Sequence, residues 1–246
     1  MPRYFIELSY KGTRYSGFQT QENALTVQEE VEKAFAVLHR EPVQLTGSSR
    51  TDAGVHAKQN YFHFNFDRPV HPQFVYKMNA ILPPDIVIHR VLETGPEAHA
   101  RFDALSRVYE YSLYHFKDPF LADRAYYFPY RINLERMQEA AALLMQYTDF
   151  TSFSKRNTQV KTFQCRILLS EWVKREQCLV YRVEANRFLR GMVRGLTGTM
   201  LRVGTGKLSL DDFAAIIEAR DCTRADFSVP AHGLTLLQVK YNNLPV

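Results

Sequence analysis

The order in which two hydrophobic periods follow one another constrains this chain most. Tyr4 to Tyr10 reads as a strand. Thr26-Val27-Gln28-Glu29 is a capping box, in which the Thr hydroxyl and the Glu side chain satisfy reciprocal backbone donors. Val27, Val31, Phe35 and Leu38, with Ala34, then recur at helical spacing and predict a helix over 26–39. Strands over 42–48 and 58–66 come next. In the latter Phe62, Phe64 and Phe66 share one face, and Tyr61, His63 and Asn65 the other. A short helix from Pro72 to Leu82 stops at Pro83-Pro84, and a strand from Ile86 to Leu92 closes the half. The order βαββαβ is ferredoxin-like.

The second half repeats this mixture without detectable sequence repetition. A strand runs from Arg107 to Tyr114, and a helix over 134–146 is capped by Asn133. Strands over 165–173 and 178–186, joined by Lys174 to Gln177, form a hairpin. Helices over 187–203 and 210–219, the second capped by Ser209, precede a last strand from Leu236 to Tyr241. The stretch Glu93 to Asp103, with Gly95-Pro96 and the ionisable His99 and Arg101, is the natural boundary. The expected division is therefore 1–103 and 104–246.

At 246 residues the chain suffices for one large domain or two ordinary ones. Its net charge of +5 suits a polyanionic partner, although many basic proteins bind none. Cys165, Cys178 and Cys222 form no C-x-x-C pair and no Cys/His cluster, so reduced thiols in a cytosol are expected, with no metal. No apolar run approaches a membrane span, and Met1-Pro2-Arg3-Tyr4 enters a strand directly. Gly206-Lys207 is no phosphate loop, because Leu201 and Leu208 stand where that motif needs Gly and Ser or Thr. An H-E-x-x-H, a His/Cys deaminase signature and a dinucleotide fingerprint are also missing.

Between the strands 42–48 and 58–66 lies Gly47-Ser48-Ser49-Arg50-Thr51-Asp52-Ala53-Gly54-Val55-His56. Small residues surround one carboxylate, Asp52, with Arg50 two residues before it. Glycines permit close approach of a ligand, and scaffold-held loops often carry reactive groups. An Asx turn closed by the Asp52 side chain explains the same residues. His56 is a possible proton carrier, but Val55 and Ala57 beside it favour a structural role. In the strand 107–114, Arg107, Tyr109, Tyr111 and Leu113 share a face, and Tyr109 is either a core aromatic or a ring presented to a ligand. In the helix 187–203, Arg187, Arg190 and Arg194 fall with Gly191 and Gly198 opposite an apolar stripe. That side is a solvated basic face or a place where another chain segment or a ligand comes close. Residues 150–162, including Lys155 and Arg156, form a polar, basic insertion.

Five stretches together resemble one family. Ser49 to Ala57, S-R-T-D-A-G-V-H-A, is similar to the G-R-T-D-A-G-V-H signature of the tRNA pseudouridine synthase A family. Tyr10 to Gln19 resembles its opening Y-D-G-T-x-Y-x-G-F-Q, Arg107 to Tyr111 its R-x-Y-x-Y, Phe188 to Arg194 its F-L-x-x-M-V-R, and Gly233 to Leu236 its closing G-L-x-L. The motifs stand in the family's order from Tyr10 to Leu236. Ser49 departs from a usual Gly and Lys11 from a usual Asp.

The resemblance implies an α+β fold of two ferredoxin-like halves, whose antiparallel sheets join into one continuous sheet with helices packed on one face. It implies a cytoplasmic homodimer, with tRNA lying across both subunits. It implies cofactor-free isomerisation of uridine at tRNA positions 38, 39 and 40 of the anticodon stem-loop. Asp52 is then the catalytic carboxylate, Tyr109 lies against the target uracil, and Arg194 pairs with Asp52. Arg50 helps extrude the base or fills its vacated place, and Leu234 makes apolar contact with the base. Lys11, Arg14, Arg187, Arg190, Lys155 and Arg156 are the expected RNA contacts. A non-catalytic RNA-binding protein and a hydrolytic nucleosidase are the rivals. Pseudouridine formation separates the first, and release of free uracil would support the second.

Overall fold

The computed structural model describes residues 1–156 and 160–242. The chain divides into two compact units, Met1–Leu105 joined by the chain from Leu236 onward, and Ser106–Thr235. In the first, β1 (Arg3–Tyr10), α1 (Val27–His39), β2 (Thr46–Gly47), β3 (His56–Asn65), α2 (Phe74–Ile81) and β4 (Ile86–Thr94) follow in order. In the second come β5 (Ser106–Tyr114), β6 (Tyr126–Tyr127), α3 (Leu134–Leu143), β7 (Ile167–Arg175), β8 (Cys178–Ala185), α4 (Met192–Gly204) and α5 (Leu210–Glu218). The last strand, β9 (Leu234–Lys240), leaves the second unit and enters the first. These are the elements of an α+β protein.

In the first unit the strand order is β4-β1-β3-β9, and β1 is antiparallel to both β3 and β4. Its core is aromatic. Phe62 and Phe64 of β3 are buried with Val31 and Phe35 of α1 and Phe74 of α2. Phe35 meets Phe64 edge-on at 5.3 Å and Phe18 stacks on Phe62 at 4.5 Å. Each such ring is worth roughly 1.5–3 kcal/mol in burial. The opposite face of β3 is covered as well. Tyr61 packs edge-on against Tyr241 at 5.2 Å, and His63 accepts a hydrogen bond from Ala100 N.

The alternation in 42–48 does not make a full strand, since only Thr46 and Gly47 pair with β3. Side chains of α1 take the backbone groups that a ladder would need. Glu32 accepts from Leu45 N at 3.1 Å, and Gln28 donates to Leu45 O at 2.9 Å. The Thr26 hydroxyl caps Glu29 N, but the Glu29 carboxylate lies on Lys33 at 2.8 Å.

In the second unit β5, β8 and β7 lie side by side, antiparallel, with Tyr111 opposite Tyr181 and Tyr181 opposite Trp172. The short β6 pairs in parallel with β5 and had no counterpart in the sequence reading. Asn133 caps α3 by accepting from Arg136 N, and Ser209 with Asp212 forms a complete capping box on α5. The predicted helix over 187–203 begins only at Met192. Gly191 has φ +74°, a left-handed conformation that a right-handed helix cannot contain, so 187–190 lead into the helix as a turn. Arg187 and Arg190 therefore share no helical face with Arg194.

Candidate active site

Asp52 sits in the turn between β2 and β3, half-buried. The turn is closed by main chain. Val55 N donates to the Asp52 carbonyl at 3.2 Å, and Gly54 N donates to the Tyr15 carbonyl at 3.3 Å. An Asx turn would spend the carboxylate on such an amide, and here both are taken. Among the described residues of its unit, the Asp52 carboxylate enters no hydrogen bond or ion pair.

The loop 10–19 braces this turn along its length. The Tyr10 and Thr51 hydroxyls are 2.7 Å apart, Phe18 N donates to Thr51 O at 3.1 Å, and Gly12 N donates to His56 Nδ1 at 3.0 Å. Position 12 must be glycine for this fit, because a Cβ there would lie 1.9 Å from the Val55 carbonyl oxygen. Asn60, fully buried on β3, donates to Ser49 O at 2.9 Å and to the Tyr10 hydroxyl at 3.2 Å. Residues far apart in sequence thus hold one short turn rigid. His56, 6% exposed, belongs to that brace, in keeping with a structural role. Tyr10 and Gly12 belong to the motif over 10–19, but neither their contact with residues 51–56 nor the role of Asn60 has a local signal in the sequence.

The other residues expected in the first unit are at the surface or tied down. Arg50 is exposed. Ser49 is 7% exposed and its hydroxyl has no hydrogen-bond partner among the described residues. Lys11 is exposed, while its main-chain N–H bonds Asp85 O. Arg14 pairs with Asp85 at 3.0 Å, and Tyr15 donates to the same carboxylate at 2.6 Å. Burial and the Asp85 charge push the Tyr15 phenol well above its ordinary range. Asp85 therefore offsets part of the charge that Arg14 would offer an anion.

In the second unit Tyr109 is 9% exposed and meets Phe188 edge-on, with ring centroids 5.0 Å apart. Arg194 opens the first turn of α4 and reaches the segment 227–230. Its Nε donates to Val229 O at 2.8 Å and its Nη2 to Phe227 O at 3.4 Å. Tyr111 donates to the next carbonyl, Pro230 O, at 2.7 Å. That segment also covers the glycine side of α4, where a Cβ on Gly198 would sit 2.3 Å from Asp226 O. At Gly198 the close approach is thus that of another chain segment. A short turn, Ala231–Gly233, follows the segment and leads to buried Leu234, the first residue of β9. Lys155 N donates to Arg190 O at 3.0 Å and its methylenes lie over Gly191, which brings Lys155 and Arg190 together. Phe150 and Phe153 anchor that basic stretch in the core, and Arg156 and Arg190 are exposed. Burial pushes the Cys165 thiol up to about 11, and the charge of Arg187 acts against that rise. Part of the predicted insertion, 157–159, lies outside the described residues.

Comparison with known proteins decides what this loop belongs to. A family model described as tRNA pseudouridine synthase matches residues 140–242. The tRNA pseudouridine synthase A of Porphyromonas gingivalis is 49% identical over 246 residues, 98% of each chain. That of Parabacteroides distasonis is 46% identical over 244 residues, 98% of this chain and 96% of its own. That of Bacillus subtilis is 38% identical over 241 residues, 96% and 98%. The chain belongs to the tRNA pseudouridine synthase A family. It is a pseudouridine synthase, an isomerase. The stretch matched by the family model contains Arg194 and Leu234, whereas Asp52 and Tyr109 lie before it. Among the described residues, no helix is long and apolar enough to cross a membrane.

Proposed function

We propose that this chain converts uridine to pseudouridine in the anticodon stem-loop of tRNA, at positions 38, 39 and 40, with Asp52 as the reacting carboxylate. The observation that carries the assignment is a carboxylate unspent in its own unit, on a turn closed by main chain and braced by the Tyr10–Phe18 loop. A charge kept free of partners on a rigid support is preorganised for reaction.

The N-glycosidic bond between C1′ and N1 breaks, the uracil turns, and C5 bonds to C1′ while the C5 proton is lost and N1 gains one. Atoms and redox state are conserved, so the reaction itself calls for no cofactor. Asp52 begins the cleavage as the ionic partner of the developing C1′ cation or as nucleophile, either at C1′ of the ribose, where C5 then displaces the carboxylate, or at C6 of the base, from which the carboxylate is expelled again. Reaching a base in a stem requires taking it out of the stack. Tyr109 holds the extruded uracil, Leu234 supplies apolar contact and Arg50 fills the vacated place. Arg194, whose first partners are the carbonyls of 227 and 229, orients Asp52. Lys11, Arg14, Lys155, Arg156, Arg187 and Arg190 take phosphates.

The assembly belonging to this reading is a cytoplasmic homodimer with tRNA across both subunits. Its fold is two ferredoxin-like halves, 1–103 and 104–246, with joined sheets. The βαββαβ order and the β4-β1-β3 pairing support that description of the first half. Incubating the protein with unmodified tRNA and mapping pseudouridine tests the whole reading. No pseudouridine in the anticodon stem-loop, or release of free uracil, overturns it.

A further inference from the structure

One turn in the first unit carries recognition chemistry that the reacting residues do not use. Residues 99–103 close tightly. Asp103 N donates to His99 O at 3.1 Å, the Asp103 carboxylate accepts from His99 N at 2.7 Å, and His99 Nδ1 accepts from Arg101 N at 3.1 Å and Phe102 N at 3.3 Å. This geometry holds the Phe102 ring outward, 74% exposed, although an aromatic of that size ordinarily seeks the core. The ring is not loose. It lies against His99 at 4.2 Å, His99 meets His63 at 4.5 Å, and His63 stacks on buried Phe5 at 6.0 Å. Four rings thus run from the core to the surface and end in an open aromatic face. The Arg101 guanidinium sits 5.7 Å from the centroid of that last ring.

The same turn is tied to the loop that carries Asp52. Tyr241 donates to the Ala100 carbonyl, and its hydroxyl also lies 3.0 Å from Ser48 Oγ. Ala100 N donates to His63 Nδ1 at 3.2 Å. A rigid, exposed ring beside a guanidinium is the combination that stacks unpaired bases without reading their sequence.

We infer that the His99–Arg101–Phe102 turn is an RNA-contact element, in which an unpaired nucleobase of the substrate stacks on the outer face of Phe102 and Arg101 lies toward the neighbouring phosphate. The inference rests on the tRNA isomerase reading. It adds a contact site outside the residues assigned to the reaction and outside the basic stretch 155–190. The shared support through Tyr241 and Ser48 fixes this contact relative to the Asp52 turn.

The test compares Phe102→Ala, Phe102→Leu and Phe102→Trp with the parent protein in tRNA binding, single-turnover pseudouridine formation, thermal melting and sedimentation. Stacking is lost in the first two, and both should weaken tRNA binding about tenfold, with unchanged melting and unchanged oligomeric state. Phe102→Trp should bind as the parent does. The chain has one Trp, the buried Trp172, so quenching by tRNA beyond that of the parent reports directly on the introduced indole. Parent-like binding by Phe102→Leu, no added quenching, or loss of binding that follows dissociation of the protein overturns the inference. A parent protein that makes no pseudouridine overturns the underlying reading instead, and the two failures are read from different samples.

Discussion

At Asp52 a single property, its negative charge, separates a turn residue from a reacting one. Asp52→Asn keeps the shape and any Asx bonding, so a mere turn role leaves activity intact. Since the turn amides go to Tyr15 O and Asp52 O, the variant should fold normally and bind tRNA at least as well, with pseudouridine formation abolished. Single-turnover activity within about tenfold of the parent, roughly 1.4 kcal/mol in the barrier, would falsify the assignment. Tyr109→Phe keeps the ring on Phe188 and removes only the hydroxyl. We expect much reduced turnover with nearly intact binding, and unchanged turnover would leave the ring a packing role alone. Ser49 offers the opposite case. Its buried hydroxyl lacks a partner, so Ser49→Ala should raise stability by about 1 kcal/mol in urea unfolding. A destabilised variant would mean the hydroxyl is satisfied after all.

The brace between the two loops of the first unit and its histidine ladder make predictions at the level of elements. Gly12→Ala places a methyl group against the Val55 carbonyl and forces the two loops apart. It should cost about 1–3 kcal/mol, as overpacking does, and it should lower turnover because the Asp52 turn loses its support. Activity and melting both at parent level would show that the brace yields without consequence. Burial, with the nearby His99 and Arg3 charges, lowers His63 from its ordinary 6.5 to about 4. The folded chain thus takes up a proton there less readily than the unfolded chain. The stability that follows is complete above about 6.5 and is lost as pH falls toward about 4, by up to roughly 3 kcal/mol. His39 and His99 are lowered too, and they act in the same direction. Melting temperature should fall over that window in the parent and less in His63→Gln, which keeps an acceptor for Ala100 N. Equal slopes would remove His63 as a cause.

Over the whole molecule the net charge of +5 and the paired placement of Lys155 and Arg190 bear on tRNA affinity. Phosphate contacts release counterions, so affinity should drop steeply between low and physiological salt. A flat dependence would point to recognition through bases and shape alone. Closed two-fold assembly is the commonest oligomer, and sedimentation at micromolar protein should show a dimer. A monomer at that concentration counts against the homodimer.

Much of the fold was legible because its signals are local. The period-two run in β3, the 3.6-residue stripe of α1, the Asn133 and Ser209 caps and the turn at 176–177 all lie within a few residues of what they specify. The Asp52 loop was legible as a contiguous motif for the same reason. What the sequence could not settle depended on partners far along the chain. Residues 42–45 alternate like a strand, yet Gln28 and Glu32 of α1 take the Leu45 backbone groups. The arginine spacing over 187–194 suits a helix face, yet the helix begins only after the left-handed Gly191, and residues 226–227 cover the glycine side. The sequence by itself determined most of the elements and which residues carry reactive groups, since propensity and chemistry belong to the residues. Only the tertiary structure decided how the Asp52 turn is held and where the last strand goes, because those follow from hydrogen bonds and packing between residues distant in sequence, such as Gly12 with His56 and Tyr241 with Ser48.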